Sequence, residues 1–187
     1  MNFFEWIQNI DLAAVRGLRE NIANPFLDFL MPIVTLIGED GILWIAVAVL
    51  LMVFGKTRKA GFVMALSLAI GFVLVNLGLK PLIDRPRPYE IDTGVKLLVH
   101  SLGDGSFPSG HTLACFEAAV SLLLCKYKRV GTISLVAAVA VAFSRVYLYV
   151  HYPTDVIVGA ILGAVFAYIA YVVVNKLYEK RAKTKKL

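Results

Sequence analysis

Charge is scarce in this sequence. Asp, Glu, Lys and Arg make up 17% of its 187 residues, against about a quarter in a soluble domain. Apolar residues fill the space: 59% of the chain is hydrophobic, and the mean hydropathy is +0.75. Long apolar stretches recur, so an ordinary soluble domain is excluded and an all-α, polytopic membrane protein is predicted. Cysteine is almost absent. Cys115 and Cys125 lie ten residues apart in one apolar segment, with neither CxxC spacing nor a disulfide framework. Both read as small core or lipid-facing residues. Histidine occurs three times, and too few ligands cluster for a zinc-type site, so no metal and no cofactor is expected. No low-complexity segment or repeat stands out, and the length predicts a single domain over 1–187. The opening residues MNFFEWIQNIDL lack a basic region, so no cleavable signal is expected.

The charge that is present is unevenly placed. The net charge is +6, but the basic residues sit in short clusters beside apolar segments, which fits membrane orientation rather than a nucleic-acid partner. Phe3, Ile7, Ile10, Ala14 and Leu18 recur at helical spacing among Glu5, Asp11, Arg16 and Arg19. That pattern predicts an interfacial helix over 1–22. Six spans follow within 24–178, at about 24–38, 41–55, 58–79, 110–125, 130–148 and 154–177, and a basic tail covers 179–187. Three of these spans fall short of the usual ~20 residues.

Lys56, Arg58 and Lys59 link spans 2 and 3, and Lys126, Lys128 and Arg129 link spans 4 and 5. Six spans put both links, Arg16, Arg19 and the basic tail on one side, predicted to be cytoplasmic with both termini. The other side then holds only Lys80, Arg85, Arg87, Lys96 and Arg145. Cations on that face need another explanation.

Three clusters supply one. The first is KPLIDRPRP at 80–88, whose prolines stiffen a segment carrying Lys80, Arg85 and Arg87. Alone it is equally a basic interfacial anchor. The second is FPSGHT at 107–112. Ser109 suits a helix N-cap and Gly110 admits a ligand closely, at a helix start whose free N–H groups attract anions. Alone it reads as a cap. The third is SRVYLYVHYPTD at 144–155, in which His151 and Asp155 form an i,i+4 pair if helical geometry reaches back through the link. A carboxylate on one ring nitrogen leaves the other free as a nucleophile or base. A satisfied interfacial histidine is the alternative. The span order brings all three clusters to one membrane face, where guanidinium and ammonium groups match the oxygens of a phosphate.

At these residues the chain resembles the type 2 phosphatidic acid phosphatase (PAP2) family, whose signature is shared with vanadium haloperoxidases. The family's K-x6-R-P, P-S-G-H and S-R-x5-H-x3-D appear as Lys80 to Arg87-Pro88, Pro108 to His111, and Ser144-Arg145 to His151 to Asp155. Every spacing matches, and the six-span layout is also similar to membrane-bound members. The resemblance implies that His151 is the nucleophile and forms a phosphohistidine, that Asp155 orients it, and that His111 is the general acid. It implies that Lys80, Arg87, Arg145, Ser109 and the Gly110 N–H hold the phosphoryl oxygens without a metal. Such chemistry is mostly positioning and charge stabilisation.

Beyond the residues that pattern specifies, Arg85 reads as a solvated or lipid-anchoring arginine, with contact to a second phosphate or a headgroup as the alternative. Glu117, inside span 4, reads as a hydrogen-bonded packing group. Asp28 is placed beside Glu117 or at the inner interface, and Glu39 and Asp40 form an acidic rim. Residues 89–106 read either as a short helix over the site or as plain loop, with His100 structural. The expected function is an integral-membrane lipid phosphatase acting at the extracytoplasmic face of the cell membrane. The expected partners are the bilayer and a lipid phosphate, foremost undecaprenyl diphosphate, with phosphatidylglycerophosphate and phosphatidate as alternatives. A lipid phosphotransferase, an anion-binding transporter and a metallohydrolase are the competing classes. The sequence carries no signal for oligomeric state.

Overall fold

The computed structural model describes residues 3–184, all helix and connecting chain, with no strand among them. The helices are α1 (Phe3–Ile22), α2 (Pro25–Thr35), α3 (Ile42–Val53), α4 (Arg58–Gly71), α5 (Lys80–Ile83), α6 (Pro88–Ile91), α7 (Gly110–Leu124), α8 (Lys128–Tyr147) and α9 (Pro153–Thr184). A π-wound segment, Phe72–Leu79, joins α4 to α5. Wider π winding turns the side chains that follow, and such segments recur at functional sites.

Local chemistry sets the boundaries. Asn24 caps α2 by accepting from the N–H groups of Phe26 and Leu27, and Pro25 follows at the first helical position. Between α2 and α3, Asp40 and Gly41 take left-handed φ values of 46° and 67°. That break stops a second helix from simply extending the first, although 25–53 as a whole is long and apolar enough to cross a membrane.

Two ends of the bundle are defined by what meets there. At one, the Tyr127 hydroxyl donates to the Lys56 carbonyl, and Lys59 lies over the rings of Tyr171 and Tyr178. At the other lie the 36–41 turn, residues 80–109 and the 148–152 link. This second end carries all three motifs. Five stretches run between the ends: α3, α4 with its π continuation, α7, α8 and α9. Of these, 58–91, 128–147 and 153–184 have the length and apolarity of membrane spans, and α7 is shorter.

The six-span expectation differs from this at the N-terminus. α2 is 11 residues long, or about 16 Å at 1.5 Å per residue. Its partners all belong to the motif end. Asp28 accepts from the Tyr147 hydroxyl, Thr35 accepts from Arg145, and Met31 packs with Tyr147, Leu148 and Val150. α1 lies at the same end, where Leu12 and Val15 pack with Val146, Tyr149 and Tyr152. Arg16 and Arg19 therefore sit with the motifs, paired to Asp92 and Asp28, and the end of α9 lies opposite. Among the described residues, α1 and the end of α9 thus lie at opposite ends of the bundle. Asp28 sits at the motif end, and its expected place beside Glu117 or at the inner interface is corrected.

α7 is the central helix, packed most extensively on α8 and α9. Its contact with α9 needs glycine. A Cβ on Gly159 would come within 2.8 Å of the Ser109 carbonyl, and one on Gly163 within 2.7 Å of the Leu113 carbonyl. Close backbone approach of this kind is how helices associate where lipid removes the hydrophobic drive. Trp44, Met64, Cys115, Leu122 and Val141 fill the space among α3, α4, α7 and α8. Ile157, Ile161 and Val165 on α9 and Ile133 and Val136 on α8 are exposed outward, as lipid-facing stripes are.

Candidate active site

Each motif residue arrives by its own local route. Lys80 follows the π segment and is buried; its Nζ is paired with Asp104. Asp84, with φ of 43°, ends α5, and the extended chain after it delivers Arg87. That arginine is 1% exposed. Its Nη1 donates to the Val150 carbonyl at 2.7 Å, its Nε to the Asp104 carbonyl at 2.9 Å, and its Nη2 to Asp104 Oδ1 at 2.7 Å. Ser109 caps α7 toward Thr112, and its own N–H donates to the Asp155 carbonyl at 3.1 Å. The cap thereby docks on the start of α9.

His151 is 1% exposed. Its Nε2 stands 3.3 Å from Arg87 Nη1, and its Nδ1 3.4 Å from Asp155 Oδ2. A guanidinium only donates, so Nε2 accepts and the ring proton sits on Nδ1, facing the carboxylate. The free lone pair is thus on Nε2, among the cations. Helical geometry does not extend back through the link: α9 starts at Pro153, and Asp155 Oδ2 instead accepts from the Tyr152 N–H at 3.0 Å. The pair still forms, at the loose spacing common in unliganded sites. Burial pushes the His151 pKa well below the usual imidazole value, and the charges of Arg145, Arg87 and Lys80 push the same way. Neutral imidazole is the form a nucleophile needs.

Lys80, Arg87, Gly110, His111 and His151 line one cavity of about 530 Å³. Ser109, Arg145 and Asp155 stand behind its wall. Ser109 is fully buried with its hydroxyl against Thr112. Arg145 donates through Nη1 to Thr35, while its buried Nε and Nη2 have no hydrogen-bond partner among the described residues. Buried guanidinium N–H groups left unpaired are costly, and a bound anion would satisfy them.

Several contributors escaped the sequence. Asp104 bridges Lys80 and Arg87. Burial opposes its ionisation, but hydrogen bonds and charge from those two residues outweigh burial and hold its pKa down at about 2. Glu39 is more than a rim: its Oε2 lies 3.4 Å from His111 Nε2. Asn76 also lines the cavity, beside Gly110 and Lys80. Arg85 is corrected outright. It is neither solvated nor lipid-anchoring, but 13% exposed and bound to Asp155 and Asp11. Only its place in the stiff RPRP run hinted at this. Glu117 is buried on the cavity wall and accepts from Ser67 at 3.2 Å, as a packing group would. The 92–106 stretch is loop; its Val95 and Leu97 pack under α1, and Leu98 and Val99 under α2. Among the described residues, no three His, Cys, Asp or Glu side chains converge as a metal site.

The PAP2 superfamily pattern matches residues 57–179. The chain belongs to that family. The PAP2 chain is 36% identical over 144 residues to an undecaprenyl-diphosphatase of Sulfolobus acidocaldarius, an alignment covering 77% of this chain and 69% of that one. Its fold is similar to LpxE of Aquifex aeolicus, with a TM-score of 0.75 at 29% identity over 86% of this chain and 94% of that one. It is likewise similar to a PAP2-type phosphatidylglycerolphosphate phosphatase of Bacillus subtilis, with a TM-score of 0.70 at 31% identity over 93% and 87%. The PAP2 chain is therefore a membrane lipid phosphatase.

Proposed function

We propose that this phosphatase acts through a phosphohistidine on His151. Nε2 of His151 attacks phosphorus, forming the P–N bond as the P–O bond to the lipid breaks. His111 gives its proton to the departing lipid oxygen, with the Glu39 carboxylate 3.4 Å from its Nε2. Water then attacks phosphorus, its proton passes to His111, and the P–N bond breaks to release phosphate. Lys80, Arg87 and Arg145 neutralise the phosphoryl oxygens, with the Gly110 N–H at the start of α7 assisting. The observation that carries this reading is the shared cavity: five residues from three separated motifs line it, and the free nitrogen of His151 faces its cations.

Undecaprenyl diphosphate is the proposed substrate. The relative of that activity supports it, as does a site at the membrane boundary, where a headgroup reaches the cations while its tail stays in lipid. The motif end is proposed to face outward from the cell membrane, because more of the Lys and Arg residues gather near the spans at the other end. Phosphate release from purified protein is the test, on a panel of undecaprenyl diphosphate, phosphatidylglycerophosphate and phosphatidate. Fastest turnover of the first is expected; preference for either glycerolipid overturns the substrate assignment. His151→Ala is expected to abolish turnover while the bundle stays folded. Near-normal release from that variant would overturn the nucleophile assignment.

A further inference from the structure

Arg85 falls at an unspecified position inside K-x6-R-P and does not line the cavity, yet it gathers three parts of the chain. Its Nη1 donates to Asp155 Oδ1 at 2.6 Å and to Thr154 Oγ1 at 2.9 Å. Its Nη2 donates to Asp11 Oδ2 at 2.7 Å and to Gln8 Oε1 at 2.7 Å, and its Nε to the same Gln8 oxygen at 2.9 Å. The guanidinium lies 3.9 Å over the Tyr152 ring. α1 reinforces the cluster, since Asp11 also takes the Thr154 hydroxyl and Gln8 donates to the Tyr152 hydroxyl.

Asp155 is fully buried. A carboxylate there is strongly disfavoured unless a cation and hydrogen bonds compensate. Arg85 supplies both, and it does so on one oxygen only. The other oxygen is left for the Tyr152 N–H and His151 Nδ1. A planar fork with five donors suits this better than any other side chain.

We infer that Arg85 is a positioning residue that keeps Asp155 ionised and turned toward His151, and that ties the N-terminal helix to the nucleophile through Gln8 and Asp11. This rests on the phosphohistidine reading. Because Arg85 touches Asp155 rather than substrate, its loss acts on turnover rather than on binding.

The experiment measures kcat, KM and the pH profile of phosphate release for wild type, Arg85→Ala, Arg85→Lys and Asp11→Asn, with thermal unfolding in detergent alongside. Arg85→Ala is expected to lower kcat about 10- to 100-fold, the size of loss known for outer hydrogen-bond partners that hold a ligating residue in place in metal sites, with KM within about threefold. The acid limb of its kcat profile moves to higher pH, because Asp155 then stays protonated further up the scale. The ionisable groups facing this pair are Asp11 from α1, Tyr152 and His151 from the link, and, beyond His151, Lys80, Arg87 and Arg145. Arg85→Lys recovers part of the rate, since an ammonium keeps the charge but not the fork. Asp11→Asn, which frees the far side of the fork, loses less than Arg85→Ala.

Wild-type kcat in Arg85→Ala overturns the inference, as does a raised KM at unchanged kcat. A lowered kcat with an unshifted acid limb and a matching loss of thermal stability also overturns it, since that is a merely structural arginine. If Arg85→Ala does not fold, Arg85→Lys decides: a wild-type rate and profile reject the role, and a reduced rate with a shifted limb upholds it. Absence of phosphate release by wild type would instead sink the underlying reading.

Discussion

At the scale of single residues, the site holds its cations ready around an anion of its own. Asp104 occupies Lys80 and Arg87 together, although its side chain is 52% exposed. An incoming phosphoryl group must compete with that carboxylate. Half-exposed ion pairs are worth about 1 kcal/mol or less, which corresponds to about fivefold in affinity. Asp104→Asn is therefore expected to tighten inhibition by orthovanadate, a phosphate mimic, by up to about fivefold. The pH range follows from the depressed pKa. Asp104 is ionised above its ordinary value near 4, and its grip on the cations is lost only as pH falls toward about 2. The gain should thus be constant across any assay from pH 5 upward. Unchanged or weaker inhibition would show that Asp104 does not compete with the anion but helps to shape its site.

At the scale of elements, the site depends on how closely α7 and α9 approach. Ser109 rides on the first and Asp155 on the second, and the two are joined by a backbone hydrogen bond. Gly163 lies two turns further along α9, where a side chain would strike the Leu113 carbonyl and Phe116 Cβ. Gly163→Val is expected to cost about 1–3 kcal/mol through overpacking, read as a lower unfolding temperature in detergent. It should also slow turnover, because the cap and Asp155 part together. An unchanged unfolding temperature would mean that the interface has slack. Much at this scale was legible in the sequence. The motif spacings singled out Lys80, Arg87, His111 and His151, which share one cavity, and Asp155, which pairs with His151, and hydropathy marked the stretches of α3, α4, α7, α8 and α9. What escaped is what sequence spacing does not encode. Asp11 and Glu39 each meet their site partners from more than 70 residues away along the chain, and Asp104 bridges Lys80 and Arg87 from 24 and 17 residues away. Arg16 and Arg19 read as orientation charges because their partners, Asp92 and Asp28, are fixed only by folding. The short apolar run of α2 resembles a span in composition and differs from one only in what it packs against.

For the whole molecule, the distribution of charge decides how the protein sits in its membrane. At the motif end the arginines are largely matched: Arg16, Arg19, Arg85 and Arg87 each hold a carboxylate. The opposite end carries Lys56, Arg58, Lys59, Lys126, Lys128, Arg129, Lys180, Arg181 and Lys183, with Glu179 as the acidic residue among them. Orientation follows the count of Lys and Arg near the spans rather than net charge, and that count still favours the opposite end as cytoplasmic. Moving α1 to the motif end changes the prediction for the N-terminal helix: it lies outside with the site, separated from the C-terminal helix end by the bilayer. Gly17 and Gly94 both have open space around them, so each accepts a cysteine without disturbing the fold. With Cys115 and Cys125 replaced by alanine, Gly17→Cys and Gly94→Cys should both react with a membrane-impermeant maleimide added to intact cells. Lys180→Cys should react only after the membrane is opened. Protection of Gly17→Cys alongside labelling of Gly94→Cys would restore a sixth crossing before α3. Protection of both, with Lys180→Cys labelled from outside, would invert the molecule and place phosphate release on the cytoplasmic face.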